Sequence, residues 1–390
     1  MQQKKCLGIK ESGGLQTNMK ILYIGHYNEG SGWSKAAIDY ILALDSIGID
    51  VVCRNIKLTP NYFDIPEKIK ELESKPLTGI DYCVQHVLPH HLVGTKKFKK
   101  NIAFFVTESN TTKNTSWYQY LTQMDEVWVP NQTNKEVLLR DGIKKINVIP
   151  HTFDINKYSA QLNKLNLYSA SNKFKFYYIG DLNDRKNIAS IVKAYNSEFI
   201  NGEDVCLVLK VKKHGVNPQV LHDSFMKFTD QIKSSLRIHK DNSFYPSEVI
   251  ITADMGDSMI NDLHNTCDCF VSPSHGEGWS IPAFEAMAYG KTPICSNEGG
   301  PKEFIDSKNK NTGTLINGIY SVCTYGDPAF LDTFTGKEEW FIPSESEIKK
   351  AMRFYYDNRN AIDRSHGKQQ AEKFNYVNIA KLIKDTLENE

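Results

Sequence analysis

The chain contains no run of 18 uncharged apolar residues, so the sequence offers no helix suited to crossing a membrane. Neither sign of charge dominates. There are 47 Lys and Arg against 46 Asp and Glu, for a net charge of +1, which argues against a dedicated nucleic-acid binder. No unit of roughly 20–50 residues recurs, which sets aside solenoids and propellers. The opening stretch MQQKKCLGIKESGGLQTN (1–18) lacks the apolar centre of a signal peptide and reads as a loose leader before Met19. The eight cysteines are scattered, most of them inside apolar runs, as expected of free thiols in the core of a cytosolic protein. Cys267 and Cys269 are one residue apart and would face opposite sides of a strand, a poor metal pair, so no metal site is expected.

What is present is ordinary globular composition, 40% hydrophobic and 24% charged, over 390 residues. At roughly 100–200 residues per domain, that length suits two domains. Short runs rich in β-branched and aromatic residues alternate with helix-patterned stretches. MKILYIG (19–25) is followed by a glycine loop and the apolar-periodic SKAAIDYILALDSIG (34–48). IDVVCRN, DYCVQHV, NIAFFVTES, DEVWVP and INVIP come next. The series breaks in a polar stretch rich in Asn and Ser (152–172). It then resumes with FKFYYIG, VCLVLKV, EVIITAD, CDCFVSPS, KTPICSN and GTLING. Alternation of this kind predicts two doubly wound parallel sheets, an α/β fold. Ligands of such sheets bind beyond the carboxyl ends of the strands, here a cleft between the domains.

The densest chemistry lies in VSPSHGEGWSIPAFEAMAYGKTPICSNEGGPKEFI (271–305). A strand stops at Pro273, a glycine-bearing loop follows, and Pro282 and Gly290 bracket a short helix. The amino end of that helix would offer unpaired amides and the positive end of its dipole to an anion such as phosphate. Glu277 in the loop and Glu285 on the helix suit hydroxyl ligands, because carboxylates accept strong hydrogen bonds from them. A solvated acidic loop before an ordinary helix would carry the same pair. The second glycine turn, SNEGGPKEF, favours a site.

The segment EGWSIPAFEAMAYGKTPICSNEGG closely resembles the signature of glycosyltransferase family 4, retaining enzymes of GT-B fold within the glycosyl transferases group 1. YYIGDLNDRKNIASIVKAY (177–195) resembles the family's diphosphate-clamping turn, and GHYNEGSGWSKAAIDYILALDSIGIDVV (25–52) its first glycine loop and helix. The resemblance implies an acceptor-side domain at 19–155, a linker at 156–172 and a nucleotide-sugar domain at 173–372. A closing helix at 373–390 would cross back to the first domain. It implies that Glu277 lies by the transferred sugar and that Glu285 holds the ribose. Amides of Gly278, Trp279 and Ser280 would meet the diphosphate, and Lys186 with Asn187 would match the family's clamp. The family's arginine position is Asp181 here, so Arg185 is expected to supply that charge. Gly30 and Gly32 would let backbone approach the donor or acceptor. His86 and Glu108, at strand ends facing the cleft, are candidates for contact with sugar or acceptor. His264 and His275 read as structural or peripheral.

Glu277, Lys186 and Arg185 are thus the expected catalytic set. The reaction implied is transfer of a hexose from a GDP- or UDP-linked sugar to a hydroxyl on a glycan, lipid or other molecule, with same-face attack. No cofactor and no metal are expected, since Asp-x-Asp is absent. The base would sit near EVIITADMGDSM (248–259). The lysines of TKKFKKN (95–101) read first as a solvated loop, with peripheral contact to an anionic membrane surface or acceptor as the alternative, in a protein expected to be cytoplasmic. Two alternatives stay open: a non-hydrolysing sugar-nucleotide epimerase of the same fold, and an inactive sugar-nucleotide-binding partner subunit.

Overall fold

A computed structural model describes residues 19–60, 63–159, 162–324 and 334–389. The leader expected at 1–18, with Cys6, lies outside them. The first six apolar runs are strands β1 (Lys20–Gly25), β2 (Asp50–Asn55), β3 (Tyr82–His86), β4 (Lys100–Phe104), β5 (Glu126–Val129) and β6 (Ile146–Val148). They form one sheet in the order β2-β1-β3-β4-β5-β6, and every pairing is parallel. Val51, Val52, Ile102 and Val129 are wholly buried, as the continuously apolar strands of a sheet covered on both faces must be.

The second series repeats the plan with β7 (Phe174–Asp181), β8 (Val205–Lys212), β9 (Ser247–Ile251), β10 (Cys269–Ser272), β11 (Ile294–Ser296) and β12 (Thr314–Ile316). Their order is β12-β11-β10-β7-β8-β9, again parallel. Strand order reverses between β7 and β10. The loops leaving these two neighbours, 182–187 and 273–280, therefore diverge around the crevice where an open sheet binds ligand. An antiparallel hairpin of β13 (Gly318–Val322) and β14 (Glu339–Pro343) was not anticipated. It braces the second loop: Phe341 N–H donates to His275 O at 3.1 Å, and His275 Nδ1 lies 2.9 Å from Phe341 O.

Past β6 the chain runs into an aromatic joint between the sheets. Phe153 stacks on Phe284 at 3.8 Å between ring centres, and Trp279 lies 5.5 Å from both His151 and Phe304. One hydrophobic core thus continues from the first domain into the second. The closing helix, Tyr376–Glu388, starts at Asn375, whose side chain caps the Asn378 amide at 2.8 Å. Its buried residues Ile379, Ala380, Ile383 and Leu387 form one face. It lies against the first helix, Gly32–Ser46, where Tyr376 Oη donates to Asp39 Oδ1 at 2.5 Å.

Asp39 leaves Oδ2 without a partner, and burial pushes its carboxyl up to about 6 against the pull of Lys157. A carboxyl raised in the folded state stabilises below its unfolded value and loses that contribution as pH rises through the folded one. Stability should therefore fall between about pH 4 and pH 6 on this account. Asp39→Asn keeps an acceptor for Tyr376 and should remove that fall, gaining about 1–3 kcal/mol at pH 8. Urea unfolding of both forms at pH 4 and pH 8 checks it.

Candidate active site

The loop 273–280 is shaped for close approach. Ser280 takes a left-handed conformation, φ 68, at the cap of the helix Ile281–Ala288. The backbone N–H groups of Gly278, Trp279 and Ser280 find no acceptor among the described residues, though Trp279 is 2% exposed and Ser280 7%. Buried amides without partners are costly, and here they lie at the positive end of a helix, so they suit an anion. The second glycine turn is the floor of this loop. A Cβ on Gly299 would stand 2.0 Å from Glu277 O, and one on Gly300 2.2 Å from Trp279 Cα. Only glycine admits that packing.

Glu277 is buried beneath the loop. Its Oε1 accepts from Lys186 Nζ and from Ser274 Oγ, both at 2.7 Å, and Arg185 Nη1 stands 3.7 Å from Oε2. Burial alone would raise this carboxyl, but Lys186 and then Arg185 outweigh it and hold it below the ordinary range. Arg185 also donates to Gly276 O at 2.6 Å and pairs with Glu108 of the first domain at 3.0 Å. Burial outweighs that arginine at Glu108 and raises its carboxyl. The turn carrying both cations is set by Asn183, whose Oδ1 accepts from Lys186 N at 3.2 Å. Asn187, in the left-handed region at φ 52, donates to Pro273 O at 3.0 Å, and its Oδ1 accepts from Ser190 at 2.9 Å. Asn187 thereby ties the two loops together, and both ends of its amide are engaged.

Glu285 is buried on the helix and forms an ion pair with Lys35 from the opposite domain. His264 Nε2 lies 3.8 Å away, too far for a hydrogen bond. Burial opposes ionisation of Glu285, and Lys35 and then His264 override it, so its carboxyl is held far below the usual range. Burial keeps His264 below its ordinary value despite Glu285, and its Nδ1 meets Tyr177 Oη at 2.7 Å.

The fold brings Arg185, Lys186, Glu277, Glu108, Gly278, Trp279 and Ser280 around one point, with Glu285 one helical turn deeper. Gly32 faces them, its Cβ position 3.8 Å from Ile281 Cδ1. Gly30 serves a different need: it is left-handed, φ +61, and a Cβ there would overlap the Phe63 ring at 2.5 Å. His86 does not face the cleft. It is 1% exposed, stacked on Phe104 and bonded to Tyr23 Oη at 2.8 Å, because the strand end carrying it lies under the Trp33 ring. Asp181 ends β7 at the surface, 3.8 Å from Lys212. A cavity of about 770 Å³ opens beside it between Gly30, Lys212 and His214, and Thr252 and Asp254 of the expected base segment line it.

Sequence reasoning missed three residues. Lys35 reaches Glu285 across 250 positions. Asn131 is wholly buried, caps the helix Gln132–Asp141 and donates to Gly278 O at 2.6 Å. His264, read as structural or peripheral, is wholly buried beside Glu285, a neighbour the sequence did not reveal. The apolar periodicity of 34–48 marked the helix that carries Lys35, but no local pattern marked its partner.

Removing Lys35 takes away the ion pair that most offsets the burial of Glu285. Lys35→Met should cost about 1–3 kcal/mol at pH 7, below the full cost of breaking a buried pair because the lysine is partly exposed. A carboxyl depressed in the folded state stabilises above its unfolded value and loses that as pH falls through the folded one. The gap between wild type and Lys35→Met should therefore narrow below about pH 4. Thermal unfolding from pH 3 to pH 8 reads it.

Comparison with known proteins matches residues 162–318 to the glycosyl transferases group 1 family model. The serotype-specific mannosyltransferase WbdA of Escherichia coli is 29% identical over 113 residues, 29% of this chain but 12% of that protein. Glycogen synthase of Clostridium perfringens (strain 13 / Type A) is 29% identical over 103 residues, 25% of this chain and 21% of that enzyme. The match thus spans about an eighth of the length of the mannosyltransferase. Among solved structures, Anabaena Alr3699/HepE in complex with UDP and glucose superposes with a TM-score of 0.60 at 16% identity, covering 95% of this chain and all of that one. Sucrose-phosphate synthase from Thermosynechococcus elongatus gives 0.63 at 15% identity, covering 95% of this chain and 98% of that one. Residues 162–318 therefore match the glycosyl transferases group 1 model, within a chain that shares the GT-B fold of these solved structures.

Proposed function

We propose that this protein is a retaining glycosyltransferase that moves a hexose from a UDP- or GDP-linked sugar to an acceptor hydroxyl. One observation carries the reading: a buried carboxylate, Glu277, paired with Lys186 and close to Arg185, lies in the same loop as partnerless amides at a helix amino end. A diphosphate fits the amides and cations, and a sugar hydroxyl fits the carboxylate. The bond that breaks joins the anomeric carbon to a phosphate oxygen, so stabilising the departing charge is the main catalytic task. Lys186, Arg185 and the amides of Trp279 and Ser280 would do it. An ionised Glu277 held by two cations and a serine is a strong hydrogen-bond acceptor and a weak nucleophile. It would orient the sugar while the departing phosphate oxygen takes the acceptor's proton.

Glu285 would receive the ribose hydroxyls in place of Lys35. The UDP and glucose bound by HepE, which shares this fold, support the donor class. The cavity bordered by Lys212, Thr252 and Asp254 would take the base.

Thermal shift with UDP, GDP and ADP tests the reading. One of them should stabilise the protein, by about 2.7 kcal/mol at a hundred times its Kd. Glu285→Ala should weaken that stabilisation, whereas Glu277→Gln should mainly lower turnover, by about 10²–10³-fold. No stabilisation by any nucleotide, or equal and negligible effects of both substitutions, would sink it.

A further inference from the structure

A second cavity, of about 170 Å³, lies on the first-domain side of Arg185 and is separate in its walls from the larger one except at Asp181. The exit of β4 (105–109), Trp33 of the first helix and Trp117 enclose it. We infer that this cavity is the acceptor subsite and that it takes an uncharged sugar unit. This rests on the transferase reading above and names the substrate class for it.

Part of the wall is aromatic. Trp33, Phe105 and Trp117 line it, with Phe105 and Trp117 edge to face at 5.9 Å and 90°. The C–H face of a pyranose is weakly positive and meets the negative face of an aromatic ring. Neither indole N–H, of Trp33 or of Trp117, has a partner among the described residues, so both remain for hydroxyls. Glu108 and Asp181 add two carboxylates, strong acceptors for hydroxyl hydrogens. The cation among the described lining residues is Arg185, already engaged by Glu108, Glu277 and Gly276 O. A phosphorylated or uronic acceptor would face two carboxylates with that cation already shared. A neutral sugar faces no such repulsion.

The position suits transfer. Glu108 and Glu277 meet at the same guanidinium, so an acceptor hydroxyl beside Glu108 lies next to the donor sugar held at Glu277. Its oxygen bonds to the anomeric carbon as the bond from that carbon to the diphosphate oxygen breaks, and its proton leaves on the diphosphate.

The test uses the full chain with the donor it hydrolyses and a panel of 4-nitrophenyl hexopyranosides, matched 6-phosphates and a glucuronide. Product is read by mass spectrometry. Neutral glycosides should be preferred by at least about tenfold in kcat/KM. Trp117→Ala should raise the acceptor KM about tenfold, and Trp117→Phe, which keeps a ring and the fold, should restore most of it. Asp181→Asn, at the surface, should narrow the preference for neutral over phosphorylated acceptors. Transfer mainly to charged acceptors, no transfer to any neutral glycoside while donor is hydrolysed, or an acceptor KM indifferent to Trp117→Ala overturns the inference alone. Absence of donor binding and hydrolysis with every nucleotide sugar overturns the transferase reading, and the acceptor subsite with it.

Discussion

Two carboxylates buried between two sheets set the terms for the structure around them. A carboxylate taken from water costs several kcal/mol unless opposite charge and hydrogen bonds replace its hydration. Glu277 obtains these from its own domain, through Lys186, Arg185 and Ser274, while Glu285 draws on Lys35 of the other. The first arrangement makes a rigid local cluster. The second makes ionisation of Glu285 depend on the domains being together.

Several features follow from that constraint. The loop bearing Glu277 must approach both a glycine floor and the first domain. Gly276 accordingly packs where a Cβ would lie 2.1 Å from Glu108 O, and Gly278 where one would lie 2.2 Å from Val106 Cγ1. The aromatic joint of Phe153, Trp279, Phe284 and Phe304 seals the apolar side of the same contact. Arg185 then becomes the shared corner of two spaces, one lined with amides and lysine, the other with indole rings and carboxylates. On the proposed reading, that division keeps the place of a departing anion apart from that of an uncharged nucleophile.

The sheets were legible because a strand buried on both faces leaves an uninterrupted apolar run, and twelve such runs stand out from the polar segments between them. The hairpin of β13 and β14 was not. Its first strand, GIYSV, is exposed throughout, so it carries no burial pattern to read. Glu277, Glu285 and Lys186 were legible because a strand, a glycine loop and a proline-started helix put them in one local frame. His86 was misplaced for want of knowledge of what covers a strand end: Trp33 and Phe104 enclose it.

Local spacing along the chain was enough to establish the two parallel sheets, the proline-started helix after the glycine loop and the acidic pair beside it, since each depends on residues within about a dozen positions of one another. Tertiary structure alone decided which cations neutralise those acids, which amides go without partners and what walls the neighbouring cavity. Lys35 with Glu285, Asn131 with Gly278 and Glu108 with Arg185 are pairs from opposite domains. Coulomb attraction and hydrogen bonding act through space, and no periodicity along a chain records which distant residue will arrive.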